Sequence, residues 1–330
     1  MRVHLNFIHN YVLLKRLRSH LKREKTGRRL IAIILLEHLG DIVACESVAR
    51  HLRQNNPDAY IIWLVKKSYI ELIASNPVVD KTVVVHCLSE RLMLANSGLF
   101  DEVIDLHFAD RYCSLCRRPL RKEQGTPVIN LTNYFLYGSL LSAMAQSAGL
   151  PAMDEKPRVY IPQSTVEKVD ALNLPPDFIA INCTSNAIEK DWPQEKWALL
   201  LEGIQKKYHM PVYEIGLTPF IKNSSSMFKS LCGQLSILES TEVIRRARLF
   251  IGIDSGPAHL ANAVGTPSVI LMGSYLGFSR YNPFSGSYGI GENVKIIYSE
   301  GSVSNIAVNE VLSEVDKMIS AIPLYSADAV

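Results

Sequence analysis

The chain has 330 residues, 48% hydrophobic and 20% charged, a globular composition that excludes a wholly disordered or collagen-like chain and suits two ordinary domains. Lys and Arg number 35 against 32 Asp and Glu, a net of +3, too small an excess to imply a nucleic-acid partner. No apolar stretch leads to a small-residue cleavage site, and the long uncharged stretch 125–153 carries Asn130, Asn133, Ser139, Ser142, Gln146 and Ser147; a cytosolic protein with six reduced cysteines is expected.

The charge is concentrated at the start. Residues 1–29 hold nine Lys or Arg and one acid, Glu24, which leaves 26 basic against 31 acidic residues in the rest. Residues 1–28 therefore read as a basic N-terminal arm. Within it, residues 11–25 (YVLLKRLRSHLKREK) place Leu14, Leu17 and Leu21 on one helical face, with Lys15, Arg18, Lys22 and Lys25 largely off it. Two readings stay open. Such a helix suits an anionic membrane surface, where each cation is worth about 1 kcal/mol. It equally suits a helix that packs its leucines on the following domain.

A buried parallel strand is expected at 29–36 (RLIAIILL), then a turn at 37–41 and a helix over 42–54. Strands follow at 60–65, 81–85 and 102–106, with a short helix at 69–74. Residues 108–126 are polar and basic without a clear period, and 134–148 has helical spacing. Prolines at 151–157 and 175–176 bracket a linker, with 156–162 short and extended. A second alternating series has strands at 178–182, 212–215, 249–253 and 268–272 and helices at 194–208, 240–247 and 258–264. A closing helix over 308–322 sets Val311, Val315, Met318 and Ile319 on one face. Alternation of this kind predicts two Rossmann-like, doubly wound parallel-sheet domains, 29–160 and 161–330, with the last helix returning to the N-terminal domain. Ligands of such sheets sit beyond the carboxyl ends of the strands.

The absences narrow the chemistry. There is no GxxxxGK[ST] and no GxSxG, and Gly289-x-Gly291 does not follow a strand. No Asp-x-Asp occurs, the pair with which metal-dependent sugar transferases commonly hold their ion. Cys113-x-x-Cys116 is half a zinc knuckle; Cys87 and His107, its nearest complements, are irregularly spaced, so ordinary loop cysteines and no metal site are expected.

Three strand-to-helix junctions carry chemistry. In Leu39-Gly40-Asp41 the glycine would permit a tight turn, and Asp41 is either a helix cap or a carboxylate offered at the strand end. Residues 253–259 (IDSGPAH) put Asp254, Ser255 and Gly256 ahead of a helix with Pro257 in its first turn. That is an anion site, with His259 either a phosphate donor or a packed histidine. Residues 183–193 (CTSNAIEKDWP) offer the hydroxyls of Thr184 and Ser185 and the cation of Lys190, whose alternative is a solvated loop lysine. A carboxylate in one half and hydroxyls, amides and a lysine in the other suit a nucleotide-diphosphate donor opposite a general base.

The segments LEHLGDIVACESVARHLRQNNPDAYIIWLV, NPVVDKTVVV, FDEVIDLH, EKDWPQEKW and ARLFIGIDSGPAHLANAVGTPSVILMGS resemble the bacterial family 9 glycosyltransferases, which include the ADP-heptose:lipopolysaccharide heptosyltransferases. The resemblance runs from about Leu30 to Gly273 and more weakly to Ile322. It implies a GT-B fold, two Rossmann-like domains facing across a cleft. It further implies inversion at the anomeric carbon, an ADP-heptose donor, a lipid-linked glycan acceptor and no cofactor or essential metal. By the same resemblance Asp41, after Gly40, is the catalytic residue, Lys190 binds phosphate, and Asp254, Ser255, Gly256 and His259 bind the donor. The enzyme would be cytoplasmic and peripheral on the inner face of the inner membrane. The loop at 216–220 (GLTPF) departs from the family's second glycine-rich loop. Two rivals share the residues: a nucleotide-sugar epimerase and a non-catalytic nucleotide-sugar-binding protein.

Overall fold

The structure, a computed structural model, describes residues 2–24, 27–222, 225–275, 278 and 280–321. Lys25 of the arm and Ile322 of the closing helix lie outside the described residues. The chain divides into two compact units, Met1–Tyr160 with Asn282–Gly286, and Ile161–Tyr281 with Ser287–Val330.

The first unit opens with α1 (Arg2–Leu21) and β1 (Leu30–Ile34). It continues with α2 (Leu39–Ala44), α3 (Glu46–Asn55), β2 (Tyr60–Val65), α4 (Ile70–Ala74), β3 (Lys81–Val84) and α5 (Leu88–Ala95). β4 (Glu102–Asp105), β5 (Asp110–Cys113), β6 (Arg118–Arg121) and α6 (Leu140–Ser147) complete it. Strands β3-β2-β1-β4 form a parallel sheet in that order. Every residue of β1 is buried, as a central parallel strand covered on both faces requires.

The second unit contains α7 (Gln163–Asp170), β7 (Ile179–Asn182), α8 (Gln194–Tyr208), β8 (Val212–Glu214), β9 (Phe228–Ser230) and α9 (Ile237–Arg246). β10 (Leu249–Ile253), α10 (Gly256–Val264), β11 (Ser268–Met272), β12 (Val294–Tyr298) and α11 (Val308–Ala321) follow. Its parallel sheet runs β12-β11-β10-β7-β8-β9. The first strand in sequence sits centrally and the order reverses beside it, at β7/β10. In the first sheet the same reversal falls at β1/β4. Open α/β sheets bind ligands at such reversals.

Several expectations need correcting. The helix over 42–54 breaks at Cys45 (φ −89°, ψ 7°) into α2 and α3. The helix over 134–148 shrinks to α6, which Ser139 caps by accepting from the Ser142 N–H. The aperiodic stretch 108–126 contains the antiparallel β5–β6 hairpin, whose short, largely exposed strands have no buried face to impose a period. Residues 156–160 join no sheet, because Glu46 and Arg50 take their polar groups. The Arg158 N–H donates to Glu46 at 3.1 Å, Tyr160 Oη to Glu46 at 3.3 Å, and Arg50 Nη2 to the Lys156 carbonyl at 2.7 Å. The closing helix is part of the second unit: Val311, Val315 and Ile319 of α11 are buried in its core against α8 and β11. Residues 282–286 are what rejoins the first unit. The Leu140 N–H donates to the Pro283 carbonyl at 3.0 Å, and the Gly286 N–H to Asp154 O at 2.9 Å.

The basic arm is part of the first unit. Leu14 and Leu21 are buried, with Phe7, Tyr11 and Leu17 packed around them in the core that β1 and β2 share. Asn10 Nδ2 donates to the Val84 carbonyl at 2.9 Å and to Glu90 at 2.7 Å, and Arg18 pairs with Asp101 at 3.3 Å. The leucine stripe thus faces protein, not lipid. Truncating Leu14 to alanine is expected to cost about 2–5 kcal/mol of stability. Urea denaturation followed by circular dichroism measures this, and a loss under about 1 kcal/mol would mean that α1 is not part of the core.

Candidate functional site

In the first unit β1 runs out at Ile34 and the chain turns through Glu37 and His38 into α2. Asp41 is the third residue of that helix, and its carboxylate accepts from the His38 N–H at 3.0 Å. It is therefore a helix-capping group and also a carboxylate at the strand end. Gly40 lies inside α2 with no left-handed backbone, so the expected tight turn is not formed there. The Asp41 carboxyl is pushed up from its ordinary range by burial, against the pull of His38 and Arg111. A helix N-terminus would lower it, but lost solvation outweighs the field of one short helix.

Sequence reasoning missed what surrounds it. Burial works to raise Glu37, but Lys66 and Arg111 outweigh it and hold the carboxyl low. Both cations pair with Glu37, Arg111 at 3.2 Å. Arg111 comes from β5, inside the stretch without period. At the end of the neighbouring β4, Asp105 accepts from His107 Nδ1 at 2.9 Å and from Arg91 at 3.3 Å. His107 Nε2 accepts the Leu36 N–H at 3.3 Å, which fixes a neutral tautomer. Burial pushes His107 down to about 4 even beside Asp105. Burial also works to raise Asp105, yet the His107 hydrogen bond, Arg91 and Lys122 hold it at about 2. Lys122, brought down to about 8 by burial, donates to the Asp105 carbonyl and to Ser147 at 3.0 Å. The end of β1 is thereby tied to β4, to the chain just after the β5–β6 hairpin and to α6.

In the second unit the loops after β7 and β10 converge. Lys190 Nζ meets Asp254 Oδ2 at 2.5 Å and lies 4.1 Å from the centre of the Tyr275 ring. Both charged groups are mostly buried, so Lys190 is no solvated loop lysine. Ser255 Oγ donates to Asn182 Oδ1 at 2.7 Å, which bridges the two strands. That hydroxyl does not cap α10, although Ser255 is its N-cap residue. Gly256 is the first residue of α10 and His259 lies in its first turn, buried. Burial lowers His259 to about 4, with Asp254 opposing and Lys190 assisting. Ser185 turns inward on its own loop: its N–H and Oγ both donate to Asp191, at 2.7 and 2.9 Å. Thr184 sits beside it, half-buried. Asn182 and Glu214 were missed. Glu214 accepts from the Phe220 and Ile221 N–H groups at 2.9 and 3.2 Å and shapes the departing 216–220 loop. A buried glutamate in an otherwise apolar strand was the available signal.

The profile of Glycosyltransferase family 9 (heptosyltransferase) matches residues 111–276, half of the chain. Lipopolysaccharide heptosyltransferase 3 of Escherichia coli K12 is 22% identical, over 72% of this chain and 81% of that protein. Two solved structures share the GT-B architecture of paired doubly wound units. The family 9 glycosyl transferase of Veillonella parvula has a TM-score of 0.66 at 17% identity, over 89% of this chain and 98% of that one. E. coli heptosyltransferase WaaC with ADP has a TM-score of 0.60 at 15% identity, over 88% and 99%. With its Gly-Asp junction, its Lys-Asp-Trp-Pro loop and its Asp-Ser-Gly-Pro-Ala-His helix start each at a strand-order reversal of this fold, the chain belongs to glycosyltransferase family 9 and is a glycosyltransferase enzyme.

Proposed function

We propose that the enzyme is an inverting, metal-independent heptosyltransferase that moves heptose from ADP-heptose to a hydroxyl of a lipopolysaccharide-core glycan. The observation that carries this reading is the Lys190–Asp254 pair at the β7/β10 reversal, beside the first turn of α10. Lysine carries three N–H donors. Asp254 takes one and orients the side chain, which leaves the others for phosphate oxygens. The Gly256 N–H at the start of α10 and the neutral His259 add donors to the same diphosphate. Thr184 and Ser185 line the donor loop. The family resemblance and the relative that binds ADP support adenine nucleotide and heptose as the donor's parts.

Transfer is a single displacement. The acceptor oxygen attacks the anomeric carbon, and the bond from that carbon to the diphosphate oxygen breaks. The acceptor hydroxyl proton passes to Asp41, and the leaving ADP takes the bonding electron pair. Asp41 is suited to the base role because burial raises its carboxyl. Its carboxylate form is thereby a stronger base than that of an exposed aspartate. Lys190 offsets the charge developing on the leaving group, which needs no bound cation.

The acceptor is lipid-linked, and the enzyme works in the cytoplasm on the inner face of the inner membrane. Among the described residues no helix is long and apolar enough to cross a membrane. The outer side of α1 suits peripheral contact instead. Leu5, Ile8, Val12 and Leu13 are exposed there, Lys15 and Arg16 follow on the same helix, and Lys22 and Arg23 lie in the turn just after it.

Replacing Asp41 with Asn is expected to slow transfer about 10²–10⁴-fold while ADP affinity stays within a factor of two or so. Radiolabelled heptose transfer and calorimetric ADP titration measure both, and near-normal turnover would reduce Asp41 to a helix cap. Only ionised Asp41 accepts the proton, so kcat/KM should fall as pH drops through its raised pKa, at a higher pH than an exposed aspartate would give. Lys190→Ala is expected to weaken ADP binding and slow turnover about 10²–10³-fold. Omitting Mg²⁺ and Mn²⁺ should change neither property, and a strict need for either ion would sink the mechanism. Exchanging Lys15, Arg16 and Lys22 for Gln should remove salt-sensitive binding to vesicles rich in anionic lipid. Equal sedimentation of parent and variant at low salt would reject peripheral docking through α1.

A further inference from the structure

The hairpin β5–β6 stands apart from both large sheets as a two-stranded sheet of its own, and such a hairpin is marginal in water. It carries two cysteines. Cys113 ends β5, opposite Arg118, and Cys116 lies in the connection just before Arg117, whose φ of 53° is left-handed. A third cysteine arrives from elsewhere. Cys87 is the N-cap of α5, and its sulfur lies 3.5 Å from that of Cys116. All three Sγ atoms fall within 4.8 Å of one another. His107, the other complement suggested by the sequence, is committed to Asp105 and Leu36.

Three features distinguish this group from cysteines that merely fill space. A tetrahedral ion bound to sulfur at about 2.3 Å spaces its thiolates about 3.8 Å apart, close to what is found. A disulfide needs about 2.05 Å, so no pair is bonded. A backbone N–H also reaches the group: that of Glu90 donates to the Cys87 sulfur at 3.5 Å. Three adjacent thiolates repel one another unless a cation joins them.

We propose that Cys87, Cys113 and Cys116 form a three-thiolate site for a thiophilic divalent cation, zinc before others, that fastens the β5–β6 hairpin to the start of α5. Among the described residues no further Cys, His, Asp or Glu joins the group. The fourth position therefore belongs to solvent, which reaches the site past half-exposed Cys116. Binding replaces up to three thiol protons with the ion and releases them to water. The hairpin so fixed is the element that carries Arg111 to Glu37. The ion is structural, distant in role from the displacement chemistry, and independent of the donor and acceptor assigned above.

The test uses the full chain purified under reducing conditions without chelator. Elemental analysis should find about one zinc per chain, and Co²⁺ exchanged into it should show thiolate charge-transfer absorption with intense tetrahedral ligand-field bands. Cys116→Ser, at the half-exposed turn, should weaken Co²⁺ binding by more than about 100-fold. Cys113→Ser should do the same, and if it fails to fold, the Cys116 variant and metal uptake by the unaltered apo chain decide the matter. Iron in place of zinc on the same three sulfurs would uphold the site. The proposal is overturned if the reduced apo chain takes up neither Zn²⁺ nor Co²⁺ while all three thiols react as free. It is equally overturned if mass spectrometry finds Cys87 and Cys116 joined as a disulfide in the freshly purified protein.

Discussion

The reversal of strand order at the centre of each parallel sheet is the constraint on which the rest depends. Right-handed crossovers from two adjacent central strands leave toward opposite faces, so no helix closes over the gap between their carboxyl ends. In the first unit that gap lies beyond β1 and β4, and it receives Glu37, Asp41 and the Asp105–His107 pair. In the second it lies beyond β7 and β10, and it receives Lys190, Asp254 and Ser255. These side chains are far apart in sequence because the strands that deliver them are neighbours only in the sheet.

Burial and neighbouring charge compete at each carboxylate, and the winner differs. Glu37 and Asp105 each have cations within pairing distance, and there the attraction exceeds the cost of lost solvation. Asp41 has one backbone N–H and more remote cations, so burial prevails. One pKa unit is about 1.4 kcal/mol, which is small beside the cost of burying a charge. The two buried histidines follow the same rule from the other side, since burial keeps both neutral despite an acidic neighbour.

Much of the remaining structure holds these groups still. Glu46 is buried with Arg50, Asn76, the Arg158 N–H and Tyr160 around it, and so fixes the last residues of the first unit against α3. The α1 helix closes the outer side of the same core through Leu14 and Leu21. In the second unit, Gly273 permits the chain after β11 to pass the backbone of Val303, where a Cβ would come within 2.4 Å of its nitrogen. That close passage follows directly on the strand that flanks β10.

Local chemistry in the sequence determined the parallel strands, because a run such as RLIAIILL has no stable place except between two layers of helices. It also determined the three junctions, since Gly-Asp, Asp-Ser-Gly-Pro and Lys-Asp-Trp-Pro each stand where an apolar run gives way to a helical period. Tertiary structure decided what those signals could not. Arg111 and the cysteine turn lie on a hairpin that buries too little to impose periodicity, so nothing local marked it as ordered. The leucines of α1 are compatible with lipid or protein, and the partner that Val84 and Glu90 offer to Asn10 chose protein. The pairing of Lys190 with Asp254, 64 residues apart, and of Cys87 with Cys116, 29 apart, arises from strand and helix placement. Periodicity records which face of an element is buried; it carries no record of which distant side chain will meet it.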